Sequence, residues 1–226
     1  MIYLFSNRSF GAQFVDAAAR FSRRRKTPLT VVFSGRRLRE RGRGGPVAML
    51  RSFAARLRAG TDPAANGLPV LVVPDVNAPA FVSSIGPGDV GVIAGFNQIF
   101  GAPAIARFKS FVNFHPSLLP FYRGPEPEFW CIDNGEMTTG YTIHTVTTKI
   151  DHGEIHYQEA LAIDDADTAA SLSRRIAALA VPTFERWLEC AASGERWTKA
   201  HVDAAALYRV HVDYRSFHEA SAKQAQ

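Results

Sequence analysis

A chain of 226 residues, 46% hydrophobic and 21% charged, has the length for one α/β domain with a full core and the composition of an ordinary globular protein. Two cysteines, Cys131 and Cys190, exclude a disulfide-stapled scaffold. No run approaches the roughly 20 apolar residues that a helical membrane span requires, and Met1–Ser6 is too short for a signal peptide, so a cytoplasmic location is expected.

The net charge of +5 is unevenly spread: residues 1–60 carry 14 Lys+Arg against 2 Asp+Glu, and the remainder is net negative. The runs Arg23–Lys26 and Arg36–Arg43 read first as a solvated helix end and a surface loop. A patch for a phosphate-bearing small molecule is the functional alternative. A nucleic-acid surface is disfavoured, because no aromatic residue interleaves with the arginines as a stacking platform.

In chain order, β-rich apolar runs predict strands at Ile2–Phe5, Leu29–Phe33, Val70–Val73, Val90–Ala94 and Phe111–Phe114. Phe10, Phe14, Val15, Ala18 and Phe21 recur at helical spacing between the first two. Pro46 opens a second candidate helix with Val47, Leu50, Phe53 and Leu57 on one side, preceded by a Gly/Arg-rich loop from about Gly35 to Gly45. Asn77 is expected to cap a third, shorter helix. After Phe114, Pro116, Pro120, Gly124, Pro125 and Pro127 impose a loop. A short helix over Phe129–Asn134, strands near Thr139–Val146 and Glu154–Ala160, and a long helix from Asp167 to Ala191 follow. Leu172, Ile176, Leu179, Ala180, Phe184 and Leu188 form that helix's core stripe. The expected fold is a Rossmann-like, mostly parallel sheet with helices on both faces. Residues 1–192 are expected to form the catalytic domain, and 193–226 a small C-terminal appendage, a candidate dimerisation element that includes strand-like residues within His201–Tyr214.

The chemistry concentrates in Phe111-Val112-Asn113-Phe114-His115-Pro116-Ser117-Leu118-Leu119-Pro120. Alternation along a strand puts Asn113 and His115 on one face, at the carboxyl end where open α/β sheets form binding crevices. An amide donor beside a titratable imidazole suits a carbonyl reaction, the amide facing the developing oxyanion and the imidazole exchanging protons. Taken alone, such a pair is more often a satisfied structural one. Asp151, on a turn eased by Gly153, is able to approach His115 and favour its charged form; alone it reads as a turn-forming residue.

Asn-x-His-Pro-Ser-Leu-Leu-Pro, then Tyr-Arg-Gly, Asn-Gly-Glu, Thr-Gly-x-Thr and Ile-Asp-x-Gly-Glu-Ile, in that order across Asn113–Ile155, resembles the formyltransferase superfamily. That group includes glycinamide ribonucleotide transformylase, methionyl-tRNA formyltransferase and the sugar N-formyltransferases. The resemblance implies that Asn113 polarises the formyl carbonyl, His115 is the acid/base and Asp151 its partner. The implied co-substrate is 10-formyltetrahydrofolate, lined by Phe96, Asn97, Gln98 and Ile99 and by Thr147, Lys149 and Ile150. Family members often carry acidic or bulkier residues where Thr145 and Thr148 stand, a departure that bears on the folate loop.

The acceptor is approached by exclusion. Ser6-Asn7-Arg8-Ser9-Phe10-Gly11 has one glycine, fewer than a phosphate-cradling loop after the first strand usually needs. The residues after 195 are too few for the C-terminal barrel of the methionyl-tRNA enzyme, and the N-terminal regulatory domain of a folate-hydrolysing relative is not matched. The expected acceptor is a small-molecule amine, first a nucleotide-linked amino sugar, with glycinamide ribonucleotide, amino-acid or secondary-metabolite amines as alternatives. Ser117, Tyr122, Arg123, Gly124, Glu126 and Trp130 are its expected contacts; Glu128 is a second candidate for the ammonium, and Phe129 and Trp130 read equally well as core. A metal site on His152 and His156 is disfavoured: on a strand they lie about 13 Å apart, too far for one zinc. Formyltetrahydrofolate hydrolysis and non-catalytic folate or nucleotide binding stay open as other classes.

Overall fold

The predicted strands become neighbours in one sheet, seen in a computed structural model that describes residues 1–7, 9–35, 60–61, 65–195 and 197. The elements are β1 (Ile2–Ser6), α1 (Ala12–Arg25), β2 (Leu29–Ser34), β3 (Gly60–Thr61), β4 (Pro69–Val73), α2 (Pro79–Ser84), β5 (Val90–Ala94), α3 (Ala102–Ile105), β6 (Ser110–His115), α4 (Pro127–Asp133), β7 (Thr138–Thr145), β8 (Ile155–Ala162) and α5 (Ala169–Ser193). Among the described residues the sheet has eight strands in the order β3-β4-β2-β1-β5-β6-β7-β8. β4, β2, β1, β5 and β6 run parallel, while β3, β7 and β8 pair antiparallel at the two sides. The mostly parallel α/β sheet is the one that alternating apolar runs and helical stripes predict.

Burial on both faces explains why β1 has no polar alternation from Ile2 to Phe5: Leu4 packs toward one core and Tyr3 and Phe5 toward the other. On the first face α1 and α5 lie against the sheet, and Phe14 meets Phe114 and Phe184 edge-on at 5.4 and 5.1 Å. Each such buried aromatic contributes on the order of 2 kcal/mol from apolar burial. On the second face, Phe81 of α2 and Ala104 of α3 close over Tyr3, Phe5, Phe108 and Phe111. α5 starts where Thr168 accepts from the Ser171 N–H, with Ser171 answering in a reciprocal capping box, and stops at Gly194 with φ of 77°. Its predicted stripe is buried, with Leu179 half-buried. Pro182 lies inside the helix on an exposed position.

Asn77 does not cap α2, whose N-cap is Ala78. Its amide instead ties the loop after β5, accepting from the Gly101 N–H at 2.6 Å and donating to the Ile99 carbonyl at 2.9 Å. The candidate helix opened by Pro46, the arginine run 36–43 and the strand-like residues within 201–214 lie outside the described residues.

Candidate active site

Parity along β6 sets the site. Val112 and Phe114 belong to the α1/α5 core and Phe111 to the α2/α3 core, so Asn113 and His115 share the second face with Phe111. β7 pairs beside it with Asn113 opposite His144 and His115 opposite Thr142. Because Tyr141 and Ile143 face the first core, Thr142 and His144 stand on the same side as Asn113 and His115. The β7–β8 connection then brings in Asp151, held in a left-handed conformation at φ 51°. Gly153 lets this connection press against β7, since a Cβ there would sit 1.7 Å from the Thr145 carbonyl oxygen.

The carboxylate of Asp151 is the hub. Oδ1 accepts from Asn113 Nδ2 at 3.2 Å and lies 3.4 Å from His144 Nε2. Oδ2 accepts from the Gly124 N–H at 2.8 Å and lies 3.5 Å from His115 Nδ1. Burial alone would raise the pKa of Asp151, but the His144 ring against Oδ1, the charge that His115 carries when protonated and the Gly124 N–H together bring it down to about 2. Asp151 is therefore ionised at neutral pH. His115 is buried, and desolvation outweighs the pull of Asp151, holding its pKa below the ordinary imidazole value. A neutral imidazole beside a fixed carboxylate is a base whose protonated form has a partner waiting.

Partner chemistry assigns the protons. His144 Nδ1 lies 2.9 Å from the Thr145 carbonyl, which only accepts, so Nδ1 carries a hydrogen. In neutral His144, Nε2 then accepts from Asn113 Nδ2 at 3.1 Å. Both amide hydrogens of Asn113 thus have partners, Asp151 and His144. An acyl oxygen set against Asn113 would take over one of them.

The remaining expected residues separate by placement. Phe96 packs edge-on to Phe5 at 5.4 Å, while Asn97 and Ile99 are exposed. Gln98 is buried and its amide joins three strand ends: Oε1 accepts from the Val76 N–H, and Nε2 donates to Ser34 Oγ and the Val73 carbonyl. That is a structural brace in place of the expected folate contact. Thr147, Lys149 and Ile150 are exposed on the connection before Asp151. Ser117 is fully buried, its hydroxyl donating to the Phe121 and Tyr122 carbonyls, so it holds the loop together where an acceptor contact was expected. Tyr122 and Arg123 are half-buried; Arg123 Nε donates to the Asp151 carbonyl at 3.0 Å. Glu126 is exposed and Trp130 half-exposed, whereas Glu128 is turned into the protein and accepts from Ser173 Oγ at 2.6 Å. Phe129 is exposed and stands edge-on to Trp130, so neither ring is core. His152 is exposed, and His156 Nε2 lies 2.7 Å from Thr145 Oγ1.

His144 is the residue that sequence reasoning missed. Its signal was the period of Thr142-x-His144 matched to Asn113-x-His115, which becomes readable only when β6 and β7 are paired.

An open α/β sheet with an amide, an imidazole and a carboxylate converging at the end of a parallel strand is an arrangement suited to acyl-group chemistry. Comparison with known proteins shows what the chain is similar to. Residues 82–187, just under half of the chain, match the formyl transferase family. It is 36% identical over 131 residues to methionyl-tRNA formyltransferase of Roseiflexus castenholzii, covering 57% of this chain and 42% of that protein. The chain spans from 11% to 42% of the length of the first curated relatives it matches. Its fold is similar to glycinamide ribonucleotide transformylase 1 from Symbiobacterium toebii, with a TM-score of 0.59 at 22% identity over 86% of this chain and 88% of that one. It is similar too to a sugar N-formyltransferase from Shewanella sp FDAARGOS_354, with a TM-score of 0.61 at 17% identity over 96% of this chain and 84% of that one. No helix among the described residues is long and apolar enough to cross a membrane.

Proposed function

We propose that the chain transfers a formyl group from 10-formyltetrahydrofolate to a primary amine, with Asn113, His115 and Asp151 as its catalytic residues. The observation that carries this reading is the single carboxylate shared by the Asn113 amide and the His115 imidazole in a buried corner of the sheet. The amine nitrogen attacks the formyl carbon and forms a tetrahedral intermediate. Asn113 donates to the oxygen as it becomes negative. The proton shed by the attacking nitrogen passes to neutral His115, and Asp151 stabilises the imidazolium. Collapse breaks the bond to folate N10, which leaves with a proton returned through His115 or water. The products are tetrahydrofolate and the formamide. The match of residues 82–187 to the formyl transferase family supports the co-substrate, and the exposed Asn97, Ile99, Thr147, Lys149 and Ile150 are its expected wall.

For the acceptor, we favour a nucleotide-linked amino sugar over glycinamide ribonucleotide. The Ser9 and Gly11 amides at the start of α1 already donate to Asn7 Oδ1, at 3.1 and 3.0 Å. A phosphate held at that turn would compete with Asn7 for them. Glu126 is the expected partner of the amino sugar's nitrogen and Trp130 its stacking surface. In this reading residues 1–192 form the catalytic unit of a cytoplasmic protein, and 193–226 pair two copies. The test is to incubate the protein with 10-formyltetrahydrofolate and a panel of nucleotide-linked amino sugars, glycinamide ribonucleotide and amino acids, following tetrahydrofolate release. Release with an amino sugar supports the reading. Release only with glycinamide ribonucleotide changes the acceptor, and release without any amine makes the protein a hydrolase.

A further inference from the structure

Three consecutive residues outside the strands hold both partners of the proposed proton transfer. The Tyr122 carbonyl lies 2.8 Å from His115 Nε2. Arg123 Nε donates to the Asp151 carbonyl at 3.0 Å, and the Gly124 N–H to Asp151 Oδ2 at 2.8 Å. Tyr122 itself sits at φ 54°, a left-handed conformation that a non-glycine residue keeps only when held from outside. Its phenol is what anchors it: the hydroxyl donates to Glu136 Oε1 at 2.5 Å and accepts from Asn134 Nδ2 at 3.3 Å, both in the α4–β7 connection.

We propose that Tyr122, braced by Glu136, is a positioning residue whose carbonyl keeps the imidazole hydrogen of His115 on Nε2, leaving Nδ1 as the nitrogen that exchanges protons with the substrate. The proposal rests on His115 being the acid/base. Two acceptors compete for the single hydrogen of the neutral ring. Asp151 carries the charge and would be the stronger one at equal distance. At 3.5 Å from Nδ1 it is beyond a good hydrogen bond, whereas the Tyr122 carbonyl at 2.8 Å is ideally placed. Ser117 Oγ donates to the same carbonyl at 3.3 Å and helps fix where it points. Let the Tyr122 backbone relax, and the hydrogen moves to Nδ1, toward Asp151. That nitrogen then has no lone pair with which to take a proton from the amine. This assignment places the phenol of Tyr122 outside the acceptor contacts expected from sequence.

The test reads the tautomer directly. Long-range nitrogen–carbon-bound-proton correlation spectra of nitrogen-15-histidine-labelled protein, recorded above the titration of His115, distinguish the two neutral forms. Wild type is expected to show Nε2–H. Tyr122→Phe and Glu136→Gln are expected to shift His115 toward Nδ1–H and to lower kcat by about 10- to 100-fold with the acceptor KM little changed. Asp151, His144 and Arg123 are the charged or titratable groups facing the ring and are unaltered in both variants. If Tyr122→Phe fails to fold, Glu136→Gln carries the comparison. Wild type in the Nδ1–H form would overturn the proposal, as would variants that raise the acceptor KM with tautomer and kcat unchanged. The spectra need no turnover. Expected spectra in a protein that transfers no formyl group would therefore uphold the tautomer assignment while overturning the reaction.

Discussion

Two charged clusters in this molecule use the same kinds of side chain to opposite ends. Along the α1–α5 seam, Arg20 pairs with Glu185, and Arg24 and Arg25 with Glu189, all at the surface. Around Asp151, an amide, two imidazoles and a backbone N–H surround one carboxylate that is nearly sealed from water. Water screens the seam, so its members are interchangeable supports for two helices already held by Phe14, Phe184 and Leu188. In the buried cluster the Asp151 carboxylate and the His115 imidazole each alter the protonation of the other, as the proposed proton transfer requires. On the proposed function, burial separates the structural cluster from the reactive one, and the same substitution should cost differently in each.

The largest effect is expected from Asp151→Asn, which removes the charge and keeps the shape: turnover should fall by at least about 100-fold in steady-state assays with folding intact. His115→Ala should lose a similar factor. In wild type, kcat/KM should rise with pH through a value below the ordinary imidazole pKa of 6.5 and level off above it, because the lowered pKa of His115 keeps the base neutral at pH 7. Near-wild-type rates in either variant would remove the distinction between the clusters.

The same titrations appear in stability. The folded-state pKa of His115 is depressed, so folding favours the neutral ring; its contribution is present above 6.5 and is lost as pH falls and the unfolded chain takes the proton. Asp151 contributes above its unfolded value of 3.8, and that contribution is lost as pH falls toward about 2. Urea midpoints measured from pH 8 to 3 should fall in both windows for wild type. The first fall should shrink in His115→Ala and the second in Asp151→Asn.

Next in size is Gly153→Ala. A methyl group there meets the Thr145 carbonyl, so the Asp151 connection must lift off β7. We expect a stability loss of about 1–3 kcal/mol by denaturant titration and a rate loss of about tenfold or more, since displacement of a positioned group is costly. The smallest effect belongs to the seam: Glu189→Ala should cost under about 1 kcal/mol, fading at high salt, with turnover unchanged.

How much of this was legible in sequence follows from which rules are local. β5 falls on its expected residues, and the stripe of α5 is buried from Leu172 to Leu188, because strand and helix periods are properties of a single segment. Asn113 and His115 were placed on one side by the same two-residue period. His144 was not assigned a role, because its place beside Asn113 depends on β7 pairing antiparallel to β6. Gln98 and Ser117 looked like site residues because they are polar and flank the motifs. Their amide and hydroxyl are instead bonded to carbonyls, amides and side chains brought in from other segments of the chain. Asn77 was misjudged in the same way, its partners Ile99 and Gly101 lying on a later loop.

The most direct trial of the central claim is a single-turnover reaction of excess protein with 10-formyltetrahydrofolate carrying carbon-13 in the formyl group, quenched in the presence of the best amine from the panel. The label is expected to arrive intact on the amine nitrogen in step with tetrahydrofolate formation, and Asp151→Asn to slow both together. Label recovered as formate, or transfer that proceeds equally well without the Asp151 carboxylate, would contradict that claim.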